Sequence, residues 1–541
     1  MDFLPAFNLT QPRRKDNDPW LWIVILVSAA ILSVLFIEPF SFDNAIYTSM
    51  ASDLLRQGRI PYIGSFDQNF PGIILVHVLV ITLFGPSVFG LRFFDFFVQI
   101  GFVIFFYKFL SRYLPVRTAA LSAILYIFYY VGGGINIYAQ RDVYISMCIL
   151  VALALLLRNS SYASKFRIAA SGIWLGLAIL FRPTSLLFVA CAGLCLCFDD
   201  EAVFEFRRIS KALLLFLFAL LPISGILLYY ASIPGGLDAF YTCTIRYNLD
   251  IYSRMVTPLS FWVQFGRTGL LPIFAAIGLL VMRRCPSGKR GLSLTEFLFC
   301  VSLLLSSLCI LLLMQKYFHY HFAPVMIGCI PLAAVGIRQS VSFISGRLLR
   351  RIVVGVLLVF CTAGGHWYLG PAAFISGVLS HTNPFEQVRE VHNGDSQFGA
   401  VPEADVKAFL TRPKNQSGSI EVCSYAPFIR ANLQRTFVGA FASFHELAPL
   451  TLSTMDSSYP FTDFQVRWRH KYMESLENLH PRFLVIARAM TFWDRPELYK
   501  GVLHTMPGFD SFMNVNYNFD TTIGGYEVYE WKNPHEIRTH T

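Results

Sequence analysis

The sequence predicts a polytopic α-helical membrane protein with a C-terminal α/β domain, and three observations predict it. Apolar runs long enough to cross a bilayer crowd residues 20–370. Charged residues make up only 14% of the chain, where a soluble domain carries roughly 25%. Past Gly370 the long runs stop, and the composition becomes that of an ordinary water-soluble domain. The expected organisation is a transmembrane domain over residues 1–370 and a soluble α/β domain over 371–541.

The formal net charge is +10. The basic residues sit mostly in short connectors between apolar runs. That placement suits anionic lipid on the cytoplasmic side better than nucleic acid. The 11 cysteines form no metal or disulfide pattern. Several, such as Cys191, Cys195 and Cys197, lie within apolar runs as small packing residues. Cys423 stands alone in the tail, so no disulfide is expected there.

Taken in order, the first apolar stretch is Trp20–Ile37, preceded by Arg13, Arg14 and Lys15. No small-residue cleavage site follows it, so it reads as a first span starting in the cytoplasm and not as a cleaved signal. Further spans are expected near 88–110, 118–134, 139–157, 168–182, 184–199, 212–230, 261–282, 293–314, 320–337 and 352–370, eleven in all. The apolar segment Gly72–Phe84 has 13 residues. It is too short to cross and reads as a helix lying at the interface.

Loop charges support that choice. With 72–84 not crossing, the clusters Arg112/Arg117, Arg158/Lys165/Arg167, Arg207/Arg208/Lys211, Arg283/Arg284/Lys289/Arg290 and Arg347/Arg350/Arg351 all share a side with Arg13, Arg14 and Lys15. With it crossing, every later cluster moves to the other side, against the positive-inside rule. Residues 38–87, 135–142, 231–260 and 315–319, the Arg182-Pro183 corner and the tail then lie outside the cytoplasm. In the tail, Ser419–Ser424, Phe483–Ile486 and Gly524–Trp531 have strand-like content, and Phe464–Leu479 looks helical.

The outer segments hold the candidate chemistry. The first contains Glu38, Asp43, Asp53 and Asp67. Asp43 sits just past a membrane exit, where a carboxylate can also be a helix cap. The second reads Tyr138-Ala139-Gln140-Arg141-Asp142. Two acids opening on one face could serve as a general base and a group that orients it. Arg182 lies between two apolar runs, where a guanidinium is costly and its planar fork suits phosphate; the plain alternative is an interfacial arginine reaching for headgroups. The loop Gln315-Lys316-Tyr317-Phe318-His319-Tyr320-His321 adds cations and rings. An aromatic belt explains the tyrosines, but not Lys316, His319 and His321 together. A His-x-His zinc site lacks an evident third ligand.

The run Asp43-Asn44-x-x-Tyr47, Ala51, Leu54-Leu55-x-x-Gly58-x-x-Pro61, Phe66-x-x-Asn69-Phe70-Pro71-Gly72, Leu83-Phe84-Gly85-x-Ser87 and Leu91-Arg92 is similar to the first loop of bacterial relatives of protein O-mannosyltransferases. That family includes the lipid A aminoarabinose transferases, which are GT-C fold enzymes. The resemblance covers roughly 38–183 and extends to 315–324. It implies a glycosyltransferase that moves a sugar, with inversion, from a polyprenyl-phosphate donor to an envelope glycolipid, glycan or protein hydroxyl. The implied setting is the outer face of a bacterial inner membrane, and no cofactor or metal is required.

In this resemblance the family's first-loop carboxylate falls on Asp43 and its second-loop acid on Asp142. Arg182, Lys316 and His319 would bind the donor phosphate, and Tyr47, Asn69, Arg141 and His321 would contact substrate. Two departures matter. Asn44 stands where the family often has an acid, and Asn69-Phe70-Pro71 where it often has Lys-Pro-Pro. The missing lysine shifts phosphate binding towards Arg182 and Lys316. A lipid or glycan flippase is the rival reading, though such transporters often have two related halves and no such symmetry is visible. A membrane assembly factor is a third.

Overall fold

The structure is a computed structural model. It describes residues 18–157, 164–199, 201–254, 260–284, 294–360, 369–395, 403–423, 427–433, 435–439, 447, 461–488 and 503–532. Arg13, Arg14, Lys15, Arg158, Lys289 and Arg290 lie outside the described residues.

The helices run α1 Pro19–Leu32, α2 Phe42–Gln57, α3 Pro71–Phe84, α4 Val88–Leu110, α5 Val116–Gly132, α6 Arg141–Leu156, α7 Lys165–Phe181 and α8 Leu186–Leu196. They continue as α9 Ile209–Ala231, α10 Gly236–Tyr241, α11 Tyr247–Asp250, α12 Phe261–Gly266, α13 Leu271–Arg284, α14 Leu294–Met314, α15 Ala323–Ser342 and α16 Arg347–Phe360. Among the described residues, five helical segments are long and apolar enough to cross a membrane: Pro19–Ile37, Val88–Leu110, Phe206–Ala231, Thr295–Met314 and His319–Ser342. Shorter apolar helices accompany them, including α3, α5 and α13.

Chain contacts divide the molecule into two compact units. The first comprises residues 1–38, 92–227 and 259–371; the second comprises 39–91, 228–258 and 372–541. The segments 39–91 and 228–258 therefore group with the tail and not with the long helices.

In the first unit α15 is central: 72% of its apolar window is buried, against 17% for Phe206–Ala231. Helices α5, α6, α13 and α14 pack around α15. Glycines allow the closest approaches. A Cβ at Gly278 or Gly336 would collide with the backbone of the facing helix, at Leu332 and Phe274 respectively. Gly172 and Gly176 of α7 face the Leu215 and Ala219 carbonyls in the same way. Such small-residue seams are how helices associate where lipid removes the hydrophobic drive. The outward faces carry exposed Trp22, Leu26, Leu213, Leu217, Leu220 and Leu313, as lipid contact requires.

Helices α1 and α4 are antiparallel, and both ends show it. Tyr107, near the end of α4, donates to the Asp18 carboxylate at the start of α1 (2.5 Å). At the other end the Arg92 Nε donates to the Glu38 carbonyl (3.3 Å). The segment 38–87 thus leaves and rejoins the helical unit at one end. Arg117 and Arg338 lie at the opposite end. Arg117 lies over the Trp20 ring (5.8 Å), Arg338 bonds Thr118, and Tyr113 bonds the Leu157 carbonyl (3.2 Å).

The second unit is built on a four-stranded sheet with strand order β1-β2-β4-β3: β1 Ile420–Cys423, β2 Phe483–Ala487, β3 Tyr517–Ile523 and β4 Tyr526–Trp531. β1 and β2 are parallel, with Ile420 opposite Phe483. A parallel pair needs a crossover, and the helix Asp463–Leu479 lies between the two strands in sequence. Thr462 and Gln465 form a capping box at its start, satisfying two otherwise unpaired N–H groups. β3 and β4 form a hairpin turned at Gly524, whose φ of +58° suits glycine.

Buried charge joins α2 to this sheet. Arg430 donates to the Asp53 carboxylate (2.7 Å) and to the Gly439 carbonyl (2.7 Å). Arg59 donates to the Val438 and Gly439 carbonyls (2.9 and 3.0 Å). Glu421, fully buried on β1, accepts the Gly439 N–H (2.6 Å). Breaking one member of such a set leaves an uncompensated charge, so α2 is held firmly to the tail.

Candidate functional site

The first unit gathers six of the expected residues at the end where α1 leaves and α4 returns. Asp142 lies in the first turn of α6 and is fully buried. Arg182, in extended backbone at the end of α7, meets it as a two-pronged pair, with Nη1–Oδ1 2.5 Å and Nη2–Oδ2 2.7 Å. Pro183 follows and stops the helix there, so the guanidinium sits at a fixed corner. The Nε of Arg141 is 3.7 Å from Asp142 Oδ2. Arg182 is thus half of a buried ion pair.

The loop before α15 closes the other side. Gln315 takes a left-handed backbone (φ 51°), turning the chain after α14. Lys316 is buried, and burial pushes its ammonium pKa below the ordinary lysine value. His321 uses Nδ1 to bond the Lys316 carbonyl, which fixes that nitrogen as the donor and leaves Nε2 as an acceptor. The charges of Arg182 and Arg141 reach His321. His319 faces Tyr129 (ring centroids 5.9 Å), and Tyr129 in turn feels Asp142. One carboxylate, Asp142, is set against Arg141 and Arg182, so the cluster carries net positive charge before Lys316 or either histidine is counted. Such a pocket of fixed cations stabilises a bound or departing anion.

The other expected residues belong to the second unit. Ser41, and not Asp43, is the N-cap of α2; its Oγ accepts the Asn44 N–H (3.2 Å). Asp43 occupies the first turn, partly exposed. Tyr47 is buried against the His77 ring (5.6 Å), and His77 Nδ1 bonds the Thr48 hydroxyl (2.9 Å). Asn69 is held through its backbone: its N–H donates to Asp67 Oδ1 (2.5 Å) and its carbonyl accepts from Tyr62 (2.6 Å). This is the loop that leads into α3.

Residues 71–229 match the family described as dolichyl-phosphate-mannose-protein mannosyltransferase. That stretch holds Asp142 and Arg182 and leaves out Asp43 and Lys316. No curated protein sequence matches significantly. Among solved structures, ArnT from Cupriavidus metallidurans bound to undecaprenyl phosphate aligns at a TM-score of 0.56 and 12% identity, over 94% of this chain and 98% of that one. The Archaeoglobus fulgidus oligosaccharyltransferase tethered with an acceptor peptide containing the NVT sequon aligns at 0.50 and 11% identity, over 94% and 74%. The chain has the GT-C fold. Together with the family match, the fold makes it a membrane glycosyltransferase.

Within this GT-C helical unit lies a buried network that the sequence reading passed over. Asp95, fully buried in α4, accepts from Tyr130 (2.5 Å) and from Gln99 Nε2 (3.0 Å). Gln99 accepts from Tyr126 (2.7 Å). The Tyr130 oxygen then accepts the N–H of Ala139, whose φ of 53° is unusual for a residue with a Cβ. Arg92 sits over the Tyr138 ring (5.4 Å). These contacts fix the strained loop that delivers Arg141 and Asp142, so Asp95 and Tyr130 act as positioning residues. The available signal was the rule that flagged Arg182: an ionisable side chain inside an apolar span needs a reason.

Proposed function

We propose that this glycosyltransferase moves a sugar from a polyprenyl-phosphate donor to a hydroxyl of an envelope glycolipid, glycan or protein, with inversion. The observation that carries the reading is the buried cluster of Arg182 and Arg141 around one carboxylate, Asp142. In the reaction the acceptor oxygen attacks the anomeric carbon, and its proton passes to Asp43. The bond from the anomeric carbon to the phosphate oxygen breaks, and its electron pair leaves with polyprenyl phosphate. Arg182 and Lys316 neutralise that charge, with His319 beside them. Asp142 holds the Arg182 fork in place, while Tyr47, Asn69, Arg141 and His321 contact the substrates.

The test is transfer by the purified chain from a labelled polyprenyl-phosphate sugar to a membrane extract. The expected result is label on an acceptor with the opposite anomeric configuration. Label that crosses a vesicle membrane on an uncleaved donor would instead make the protein a flippase, and a retained configuration would reject the single displacement.

We place the protein in a bacterial plasma membrane, with the basic connectors in the cytoplasm and the tail outside. Reporter fusions at Ser380 and Ser287 are expected to report opposite compartments. The same compartment for both would defeat this orientation.

A further inference from the structure

The second unit contains a polar cleft of about 290 Å³ lined by Arg56, Gln57, Gln416, Gly418, Arg435 and Thr436. Two of these side chains are arginines and none is a carboxylate. The acids nearby are already served: Asp53 and Glu421 lie among Arg430 and Arg59, and Glu530 pairs with Arg482 (3.0 Å). Among the described residues, Arg56 and Arg435 pair with no carboxylate, and both line the cleft.

Arg435 is held without a counter-ion among the described residues. Its guanidinium donates to the carbonyls of Leu410 (3.3 Å), Asn415 (2.9 Å), Ser417 (3.0 Å) and Gly418 (2.5 Å). Burial and the Arg482 charge lower its pKa to about 10, the strain an anion would relieve. Arg56 is exposed in the last turn of α2. Its charge suits that helix end, which explains a cation at the position but not its sharing a cleft with Arg435. The amides of Gln57 and Gln416 and the Thr436 hydroxyl supply the donors and acceptors that sugar hydroxyls use. A space of this size is at the lower end of small-ligand pockets and fits about one sugar ring.

We propose that this cleft binds a phosphorylated monosaccharide unit of a glycan. Its use as a docking subsite for the acceptor rests on the glycosyl transfer proposed above; the binding itself does not. Arg56 would contact the phosphate directly, the charge of Arg435 and its remaining Nε–H would assist, and Gln57, Gln416 and Thr436 would take the ring hydroxyls.

The experiment is calorimetric titration of the full-length purified protein, without donor, using glucose 6-phosphate, glucose and inorganic phosphate. Glucose 6-phosphate is expected to bind more tightly than either, and more weakly as salt is added. Arg56→Gln, on an exposed side chain, is expected to weaken it by about 10-fold or more. The double change Arg182→Gln/Asp142→Asn, which removes both charges of the donor-site pair, is expected to leave it unchanged. Glucose binding equally well would remove the anion site, and phosphate binding equally well would remove the sugar. Binding lost with the Arg182/Asp142 change and kept with Arg56→Gln would assign it to the donor site and overturn the proposal. Failure here with transfer intact overturns the cleft alone, and the converse overturns the transfer reading alone.

Discussion

Replacing Arg182 by alanine is expected to cut transfer by about two to three orders of magnitude, and to lower thermal stability as well. On the proposed reaction, the first effect follows from losing the cation at the departing phosphate. The second follows from the two-pronged pair with Asp142. Alanine leaves a buried carboxylate without its partner, which costs about 3–5 kcal/mol when such a pair is broken from one side. A folded, fully stable Arg182→Ala protein is therefore not expected, and the alanine variant alone would confuse chemistry with folding. Arg182→Gln/Asp142→Asn separates them, since it removes both charges together and keeps hydrogen-bonding groups of similar size. It is expected to recover most of the lost melting temperature and little of the lost turnover. Arg182→Lys is expected to keep the charge but lose the fork, giving partial activity. Near-wild-type transfer by the double variant at matched expression would remove Arg182 from the reaction.

The pairing of Arg182 shows how far one sequence can be read. An arginine between two apolar runs announces a special site, because its cost in lipid must be offset. Which group offsets it is a long-range fact. Asp142 lies 40 residues away, and hydropathy does not pair helices. Loop charge yields an expectation that α3 does not cross; the Asp18–Tyr107 and Glu38–Arg92 contacts show that α1 and α4 are antiparallel. Asp95 was missed for the opposite reason. It sits within a phenylalanine-rich run whose average hydropathy marks a span, and the average conceals the single carboxylate that organises the loop before α6.

The tail divides along the same line. β1, β2, β4 and the helix Asp463–Leu479 follow the apolar and aromatic content that suggested them. β3 did not stand out, because it is an edge strand whose residues are mostly exposed and polar. The tie between α2 and the tail was invisible, since Asp53 and Arg430 are 377 residues apart and each alone is an ordinary charged residue. The grouping of residues 39–91 with the tail, and not with the preceding span, has the same origin.

Asp43→Asn is expected to lower turnover by about 100-fold or more while leaving donor affinity and melting temperature close to wild type. The amide keeps the size and most hydrogen bonding of the carboxylate but cannot take the acceptor proton. The ordinary alternative for an acid at this place, a helix cap, is already filled by Ser41. A structural Asp43 also contributes its favourable charge in the first turn of α2, worth about 0.3–1 kcal/mol at a helix N-terminus. That term acts on stability and not on the reaction. Ser41→Ala supplies the opposite signature: it removes the cap, at about 1 kcal/mol, and leaves the carboxylate. A melting temperature that falls with Ser41→Ala while transfer per folded molecule persists, set beside transfer that collapses with Asp43→Asn while the melting temperature persists, identifies the base. Near-normal transfer by Asp43→Asn would end that assignment and move the role to Asp142 or Glu38. Of these two, Asp142 already has both oxygens engaged by guanidinium nitrogens of Arg182, so Glu38 is the next residue to replace.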